Sequence, residues 1–164
     1  MCQSGRSAIV MDNQMVSIEI IPTTSDHIIE LLLELKDLDK DELYRFGADK
    51  EEMLLKIYKR SIFVDSVIAD GKLVWIFGVL GEYLGETGRP WSLFTPEGEK
   101  ISPFIVTCFY RQAIDKMLQL FPVLIDMVDI KHTKVLRMLK IVGFKFGEPE
   151  PFMNGLFIKA TRRV

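Results

Sequence analysis

A short apolar run, Val123–Asp129, constrains the fold of this chain more than any other feature of its sequence. The run is short enough to be a central strand that is buried on both faces. A long amphipathic pattern from Ser102 to about Leu120 precedes it, and a second helical pattern, Thr133–Ile141, follows it. This alternation predicts an α/β (α+β) fold in which helices cover a central sheet.

Further strands are predicted where apolar and polar residues alternate between turn residues. Asp70-Gly71 joins two of them and is the strongest short hairpin signal in the chain. One helix is predicted after Thr23-Thr24-Ser25, and a short one from the Asp49 cap, while Gly81–Pro90 and Pro96–Ile101 are predicted loops. The predicted strands besides the central one are Val16–Ile21, Ile62–Ala69, Leu73–Leu80, Trp91–Thr95, Phe144–Phe146 and Leu156–Thr161.

The first residues of the chain differ from the rest in pattern. Residues 1–14 are polar and show no clear periodicity, so they are predicted to form an arm outside the domain. The remaining residues, 15–164, have the length of one ordinary domain, which buries most of the surface of its unfolded chain. No internal repeat interrupts them.

The charge balance narrows the classes of partner. The chain has 21 basic and 23 acidic residues, well mixed, for a net charge of -2. This balance argues against nucleic acid as the main partner, because binding to phosphates needs a basic surplus or a basic face. The aromatic residues lie in apolar runs away from Lys and Arg clusters, so the sequence predicts no base-stacking surface.

The cysteines and the apolar segments of the sequence indicate the cellular compartment. Cys2 and Cys108 are far apart, which favours a reducing environment. The longest nearly uncharged stretch, Ile101–Gln112, is too short to cross a bilayer, and Met1–Met15 lacks the apolar core of a signal peptide. We therefore expect a cytosolic protein with no membrane segment, and we expect no structural metal.

The order of predicted elements from Val16 to Val164 resembles the GNAT superfamily of acetyl-CoA-dependent N-acetyltransferases. Its most specific match is His132–Phe144, which is similar to the family's Asn-x-x-Ala-x-x-x-Tyr-x-x-x-Gly-Phe segment in its helical spacing and final Gly-Phe. The resemblance implies a GNAT-like acyl-CoA N-acyltransferase fold. Its mixed, mostly antiparallel sheet is split between the fourth and fifth strands and flanked by helices.

A narrower resemblance is to a bacteriophage branch of GNAT-like proteins, described as internal virion protein A of short-tailed phages or as phage acetyltransferases. It implies phage virion proteins or a host protein as partners, and a location in the host cytoplasm or inside the virion. The matching segments are Trp91–Thr95, the long helix with Arg111 and Lys116, Val128-Asp129, Leu139 with Gly143-Phe144, and Phe146–Pro149.

The cofactor loop of the family departs from its pattern here. GNAT enzymes carry Gln/Arg-x-x-Gly-x-Gly/Ala before the long helix, so that phosphates approach backbone N–H groups closely. The corresponding segment, Thr95–Pro103, has one glycine, two carboxylates and one lysine. By position, Phe94, Thr95, Lys100 and Ser102 are the candidates for binding acetyl-CoA. The alternative is that the segment only connects a strand to a helix capped by Ser102.

The catalytic positions also depart from the family. The resemblance places the general-acid tyrosine at Leu139, and a leucine cannot donate a proton. His132 takes the asparagine position and is a candidate acid or base, or simply a helix cap. Among carboxylates that could deprotonate an amine, Asp129 is favoured over Asp126 and Glu82 because it lies nearest the end of its strand. Each carboxylate has a structural alternative as a solvated or paired residue.

Two functions follow from these expectations. The first is a phage GNAT-like protein with a degenerate acetyl-CoA site, serving as a virion or assembly factor through protein contacts. The second is an active acetyl-CoA-dependent N-acetyltransferase acting on a small amine or a host protein. A third class, an inhibitor of a host enzyme or defence, stays open, and the sequence does not indicate the oligomeric state or the acceptor.

Overall fold

The computed structural model describes residues 6–11, 13–34, 50–82, 85–152 and 154–164. No helix within these ranges is both long and apolar enough to cross a membrane. The helices are α1 (Ser25–Glu34), α2 (Lys50–Arg60), α3 (Pro96–Ile105), α4 (Arg111–Leu120) and α5 (Thr133–Ile141), with a π-helical turn (Val106–Tyr110) joining α3 to α4. The strands are β1 (Arg6–Met11), β2 (Gln14–Pro22), β3 (Ser61–Ala69), β4 (Lys72–Gly81), β5 (Thr87–Phe94), β6 (Val123–Asp129), β7 (Lys145–Phe146), β8 (Glu150–Phe152) and β9 (Gly155–Arg163).

These strands form one mixed sheet, mostly antiparallel, in the order β1-β2-β3-β4-β5-β6-β9-β7, with β8 also paired to β9. The parallel pair is β5 with β6, the two strands between which the sequence predicts a split. Their pairing joins Thr87 to Val123 and Gly88 to Leu124, two residues on each strand. The predicted α/β fold class and its mostly antiparallel sheet are confirmed.

The described residues divide into two compact units. The first unit takes the described residues among 1–78 and 92–100, and the second takes those among 79–91 and 101–164. Each has its own buried apolar side chains: Ile18, Ile28, Leu31, Leu54, Val67, Trp75 and Ile76 in the first, and Ile114, Met117, Leu124, Leu139, Phe144 and Ala160 in the second. The assignment of residues 15–164 to a single domain stays a prediction.

Two local features of the first unit bear on the sequence predictions. Asp70 and Gly71 both have positive φ, 47° and 78°, as a two-residue turn between β3 and β4 requires. The predicted hairpin is therefore confirmed. Arg6–Met11, by contrast, pair antiparallel with β2, although the sequence predicts an arm there. Asn13, at φ 63°, makes the tight turn between these two strands.

Two segments predicted as loops differ in the structure. The loop Gly81–Pro90 ends early, because β5 begins at Thr87. The loop Pro96–Ile101 is helical, because α3 begins at Pro96 and not after Ser102. Predictions that fall on residues 35–49, including the Asp49 cap, lie outside the described residues.

Several elements of the second unit match the sequence prediction. β6 and α5 have the predicted bounds, and α4 ends at Leu120 as expected. Past α5, Gly143 has a left-handed φ of 88°. The Phe144 N–H donates to the Leu139 carbonyl at 2.9 Å, which closes the helix end in the manner of a Schellman motif. These contacts lead the chain from α5 into β7.

Candidate functional site

The start of α3 is built around Thr95, which follows β5 and is 1% exposed. Its hydroxyl donates to the Leu73 carbonyl of β4 at 3.1 Å. The same oxygen accepts the Gly98 N–H at 3.1 Å, so Thr95 caps the helix with its side chain. The Thr95 N–H also donates to the Val74 carbonyl at 3.1 Å. Thr95 therefore fastens the first turn of α3 to β4.

This cap uses most of the N–H groups that a helix start normally offers to an anion. Pro96 has no N–H. The N–H groups of Gly98 and Glu99 donate to the hydroxyl and the carbonyl of Thr95, respectively. In the first turn of α3, Glu97 is left as the one residue whose N–H can turn to a ligand.

Gly98, the single glycine of this segment, is required by a close backbone contact. A Cβ at this position would collide with the Val74 carbonyl oxygen and lie 2.7 Å from the Val74 carbonyl carbon. Backbone atoms of a central strand cannot move aside as a flexible side chain can. A glycine here lets α3 begin directly against β4, and this contact accounts for it without any ligand.

The charges around the helix start are acidic and partly paired. Glu97 and Glu99 are both exposed in the first turn. The Lys100 Nζ lies 3.0 Å from the Glu97 Oε1. The hydrogen bond and positive charge of Lys100 lower the pKa of Glu97, with a smaller contribution from Lys72. The nearest cation of the segment is thus engaged with a carboxylate of the same turn.

Phe94, another predicted cofactor contact, belongs to an aromatic cluster of the first unit. Its ring stacks on Trp75 with centroids 5.1 Å apart and planes 3° apart. Trp75 is fully buried and also contacts Phe77, at 4.6 Å. The structure thus brings Phe94, Thr95 and Lys100 together around one helix start. Their role toward a cofactor stays a prediction.

Ser102, the fourth cofactor candidate, lies inside α3 and therefore does not cap it. It belongs to the second unit, as do the catalytic candidates. The prediction of a cap at Ser102 is wrong because Thr95-Pro96 offers the same cap-and-proline pattern and has partners on β4. The acidic residues that follow Pro96 are also typical of a first helical turn. This signal was present in the sequence.

Asp129 closes the turn at the end of β6. It is 4% exposed, and its Oδ1 accepts the Lys131 N–H at 2.9 Å. Its carbonyl accepts the His132 N–H at 2.9 Å, and the His132 carbonyl then accepts the Leu136 N–H at 3.0 Å. Asp129 and His132 are thereby brought into one turn that leads into α5. These bonds give both residues a structural role, and their catalytic role stays a prediction.

The other residues discussed for catalysis are dispersed through the second unit. Leu139, at the family's tyrosine position, is fully buried in the core. Glu82 is exposed in the turn between β4 and β5, with its carboxylate 3.5 Å from the Arg89 guanidinium. Asp126 is half-buried on β6, opposite Ala160 of β9. Within the described ranges, no group of three or more His, Cys, Asp or Glu side chains is arranged to hold a metal ion.

No protein-family model matches the chain, and no curated protein matches it in sequence. Solved structures do match. The GNAT-family acetyltransferase of Streptococcus pneumoniae has a TM-score of 0.67 at 11% identity, covering 90% of this chain and 99% of that one. The spermidine N-acetyltransferase of Vibrio cholerae in complex with CoA and spermine has a TM-score of 0.65 at 11% identity, covering 89% and 95%.

A third match is the ribosomal L7/L12 alpha-N-protein acetyltransferase RimL in complex with coenzyme A, with a TM-score of 0.67 at 8% identity, covering 90% of this chain and 94% of that one. Identities this low show a shared fold and do not transfer an activity. The strand order, the flanking helices and these structural neighbours together show that this chain has the fold of the GNAT acetyltransferases.

Proposed function

We propose that this protein uses the GNAT fold without its acetyl-CoA chemistry, and that it acts through protein contacts as a virion or assembly factor of a bacteriophage. The observation that carries the proposal is the first turn of α3, which in this fold would have to receive the cofactor's pyrophosphate. Thr95 already accepts the N–H groups of Gly98 and Glu99, so only the Glu97 N–H of that turn is left for a ligand. The residues of this turn do not fit the pyrophosphate of acetyl-CoA.

The glycine of the turn supports the same conclusion. A pyrophosphate site needs glycines where the phosphate approaches the backbone. The backbone that approaches Gly98 is instead that of Val74 in the neighbouring strand. Packing of α3 against β4 therefore explains Gly98, and the glycine does not indicate a phosphate cradle.

The charges of the first turn of α3 also argue against a pyrophosphate site. Glu97 and Glu99 stand in the same first turn as the Glu97 N–H, the one donor of that turn that is left for a ligand. Two carboxylates beside a doubly charged pyrophosphate repel it. Lys100 would have to leave Glu97 in order to offset that repulsion, and its exchange between two anions contributes little at an exposed site.

The role through protein contacts rests on the resemblance to phage proteins and on exposed apolar side chains. Ile29 and Leu33 lie one helical turn apart on α1 and are 53% and 60% exposed. On the second unit, Phe152 and Leu156 of the β8–β9 hairpin are 46% and 44% exposed. Exposed apolar side chains that lie close together are typical of protein contact sites.

An active N-acetyltransferase is the second candidate function. It is favoured by the fold neighbours that were solved with coenzyme A, one of them also with spermine. In that case Asp129 or His132 would handle the proton of the amine, since Leu139 cannot act as an acid. The acceptor would be a small amine or a host protein.

Calorimetric titration with acetyl-CoA separates the two functions. The proposal predicts no saturable heat with a dissociation constant tighter than about 1 mM, which corresponds to about 4 kcal/mol of binding. The variant Glu97→Gln/Glu99→Gln is the matched control, because it removes the repelling charges and keeps the cap. Micromolar binding by the unaltered protein, with CoA released when spermine is added, would establish the second function and overturn the first.

The virion role has its own test. The protein should be present in phage particles purified through a density gradient, at a constant ratio to the capsid protein. A variant with Ile29→Ser and Leu33→Ser on α1 should fold, because both side chains are exposed, and should be reduced in particles. Absence of the unaltered protein from purified particles contradicts this role, whatever the calorimetry shows.

A further inference from the structure

A basic surface of the second unit stands apart from everything described above. Residues 131–146 carry five Lys or Arg residues and no Asp or Glu. Because the whole chain has a net charge of -2 and this segment contributes +5, the rest of the chain carries -7. We give the name basic face of α5 to the three cations of the helix together with Lys131 before it and Lys145 in β7; the three in the helix are Lys134, Arg137 and Lys140.

All five side chains of the basic face are exposed. Lys134, Arg137 and Lys140 follow one another at three-residue spacing, so successive charges are about 4.5 Å apart along the helix axis. The other side of α5 is apolar and packs into the core, where Met138 and Leu139 are buried. The sequence therefore divides this helix into a core side and an outward side that carries only positive charge.

Two arginines add to the positive charge at the end of α5. The Arg111 Nη2 donates to the Ile141 carbonyl at 3.0 Å. The guanidinium of Arg162 lies against Gly143, with its Cζ 3.2 Å from the position that a Cβ there would take. Both cations lie at the C-terminal end of α5, where the helix dipole is negative. Positive side chains are therefore present at that end of the helix as well.

We propose that the basic face of α5 binds the phosphate backbone of a nucleic-acid duplex, without reading its bases. A duplex presents about one negative charge per 1.7 Å of its axis, so the row formed by Lys134, Arg137 and Lys140 can meet a phosphate at each of its positions. The balanced composition argues against nucleic acid only where no basic face exists. In this fold five basic residues stand in one short segment without an acidic one, although the whole chain is slightly acidic.

The residue types favour a nucleic acid over an acidic protein. Four of the five members of the basic face are lysines. Lysine is depleted in protein–protein interfaces relative to the rest of the surface, whereas Lys and Arg contacts to phosphates are the usual source of sequence-independent DNA binding. Phe144, an aromatic residue of the segment, is buried, which fits contact with the backbone and not stacking on bases.

Fluorescence anisotropy of labelled 20-base-pair duplexes tests this proposal. Two DNA duplexes of unrelated sequence and one RNA duplex should be titrated with the full chain between 25 and 200 mM salt. We expect micromolar affinity at low salt, similar for both DNA sequences. The logarithm of the binding constant should fall with the logarithm of the salt concentration with a slope of about -3 to -4, since each phosphate contact contributes about -0.9. Comparison of the DNA and RNA duplexes identifies which backbone is preferred.

The test variant is Lys131→Gln/Arg137→Gln/Lys140→Gln, which removes three exposed charges of the basic face. It should weaken binding at least tenfold at low salt and reduce the magnitude of the slope by about 2.7. The matched control is Lys56→Gln/Lys59→Gln/Arg60→Gln, which removes three exposed basic residues of α2 in the first unit. Its affinity and slope should equal those of the unaltered protein. Equal thermal unfolding midpoints should show that both variants fold.

Three results would overturn the proposal. The first is an equal loss of binding in the control variant, which would mean that net charge alone is responsible. The second is tighter binding of polyglutamate than of the duplex at equal charge concentration, which would indicate an acidic protein as the partner. The third is a difference of more than tenfold between the two DNA sequences, which would require contacts to bases.

Discussion

The substitution Gly98→Ala separates a packing glycine from a phosphate-binding glycine. Alanine is normally favoured over glycine in a helix by about 1 kcal/mol, so this change would stabilise α3 if the Cβ had room. It has none, because the Cβ would collide with the Val74 carbonyl oxygen and lie 3.3 Å from the Val74 Cα. The backbone of α3 or β4 must then shift.

The expected magnitude follows from these two effects. Overpacking of a close contact costs about 1–3 kcal/mol, and a contact between two backbones lies at the upper end or beyond. We expect Gly98→Ala to lower the free energy of unfolding by about 2–3 kcal/mol after the helix propensity gain. For a domain of this size the melting temperature should fall by about 5–10 °C.

Urea unfolding followed by circular dichroism measures this change. Gly147→Ala is the matched control, since a Cβ there would have its nearest neighbour, the Lys159 carbonyl oxygen, at 3.8 Å. Its stability should change by less than about 0.5 kcal/mol. If Gly98→Ala is as stable as the unaltered protein, or more stable, the helix start is not held against β4 and the glycine is available for a ligand.

Other substitutions give sharper readings of single contacts. Thr95→Val should lower the free energy of unfolding in urea by about 2 kcal/mol, because it removes the cap and leaves the buried Gly98 N–H unpaired. Thr95→Ser keeps the hydroxyl and should retain most of that stability. Equal stability of the two variants would argue against the cap. Gly143 has a φ of 88°, so Gly143→Ala should lower the free energy of unfolding by about 1–2 kcal/mol and Gly143→Asn by less. A larger loss for asparagine than for alanine would contradict a left-handed helix end. Lys100→Met should raise the pKa of Glu97 toward its ordinary value in an NMR titration, since Lys100 lowers it now. The Glu97–Lys100 pair stabilises the folded state at pH values above the ordinary pKa of a glutamate and loses that contribution as the pH falls through the lowered one.

Local signals predicted much of this fold. The Asp70-Gly71 turn, the apolar run of β6 and the glycine after α5 each specify their structure within a few residues, because φ preference and hydrophobic periodicity act locally. The start of α3 depends on more than local pattern. Thr95-Pro96 and Ser102-Pro103 share a cap-and-proline pattern; the acidic residues after Pro96 favour the first, and hydrogen bonds from Thr95 to β4 fix it.

The predicted start of β5 was wrong for a similar reason. Gly88 and Pro90 are turn residues by composition, yet both lie in β5. A Cβ at Gly88 would be 2.6 Å from the Phe121 Cδ2, so the glycine permits a close contact that no local pattern announces. The total charge of the chain does not show that the positive residues of α5 share one side, whereas their three-residue spacing within the predicted helix does.

The most direct test of the central claim is an NMR titration that follows the amide resonances of Glu97, Gly98 and Glu99 as acetyl-CoA is added to about 1 mM, a concentration that reports binding stronger than about 4 kcal/mol. The account predicts that these three resonances do not move in a saturable manner, because the Gly98 and Glu99 amides donate to Thr95 and the Glu97 amide belongs to a turn with two carboxylates. Saturable shifts centred on these amides would show that the turn receives a pyrophosphate, and would contradict the claim that this GNAT fold has lost its cofactor site.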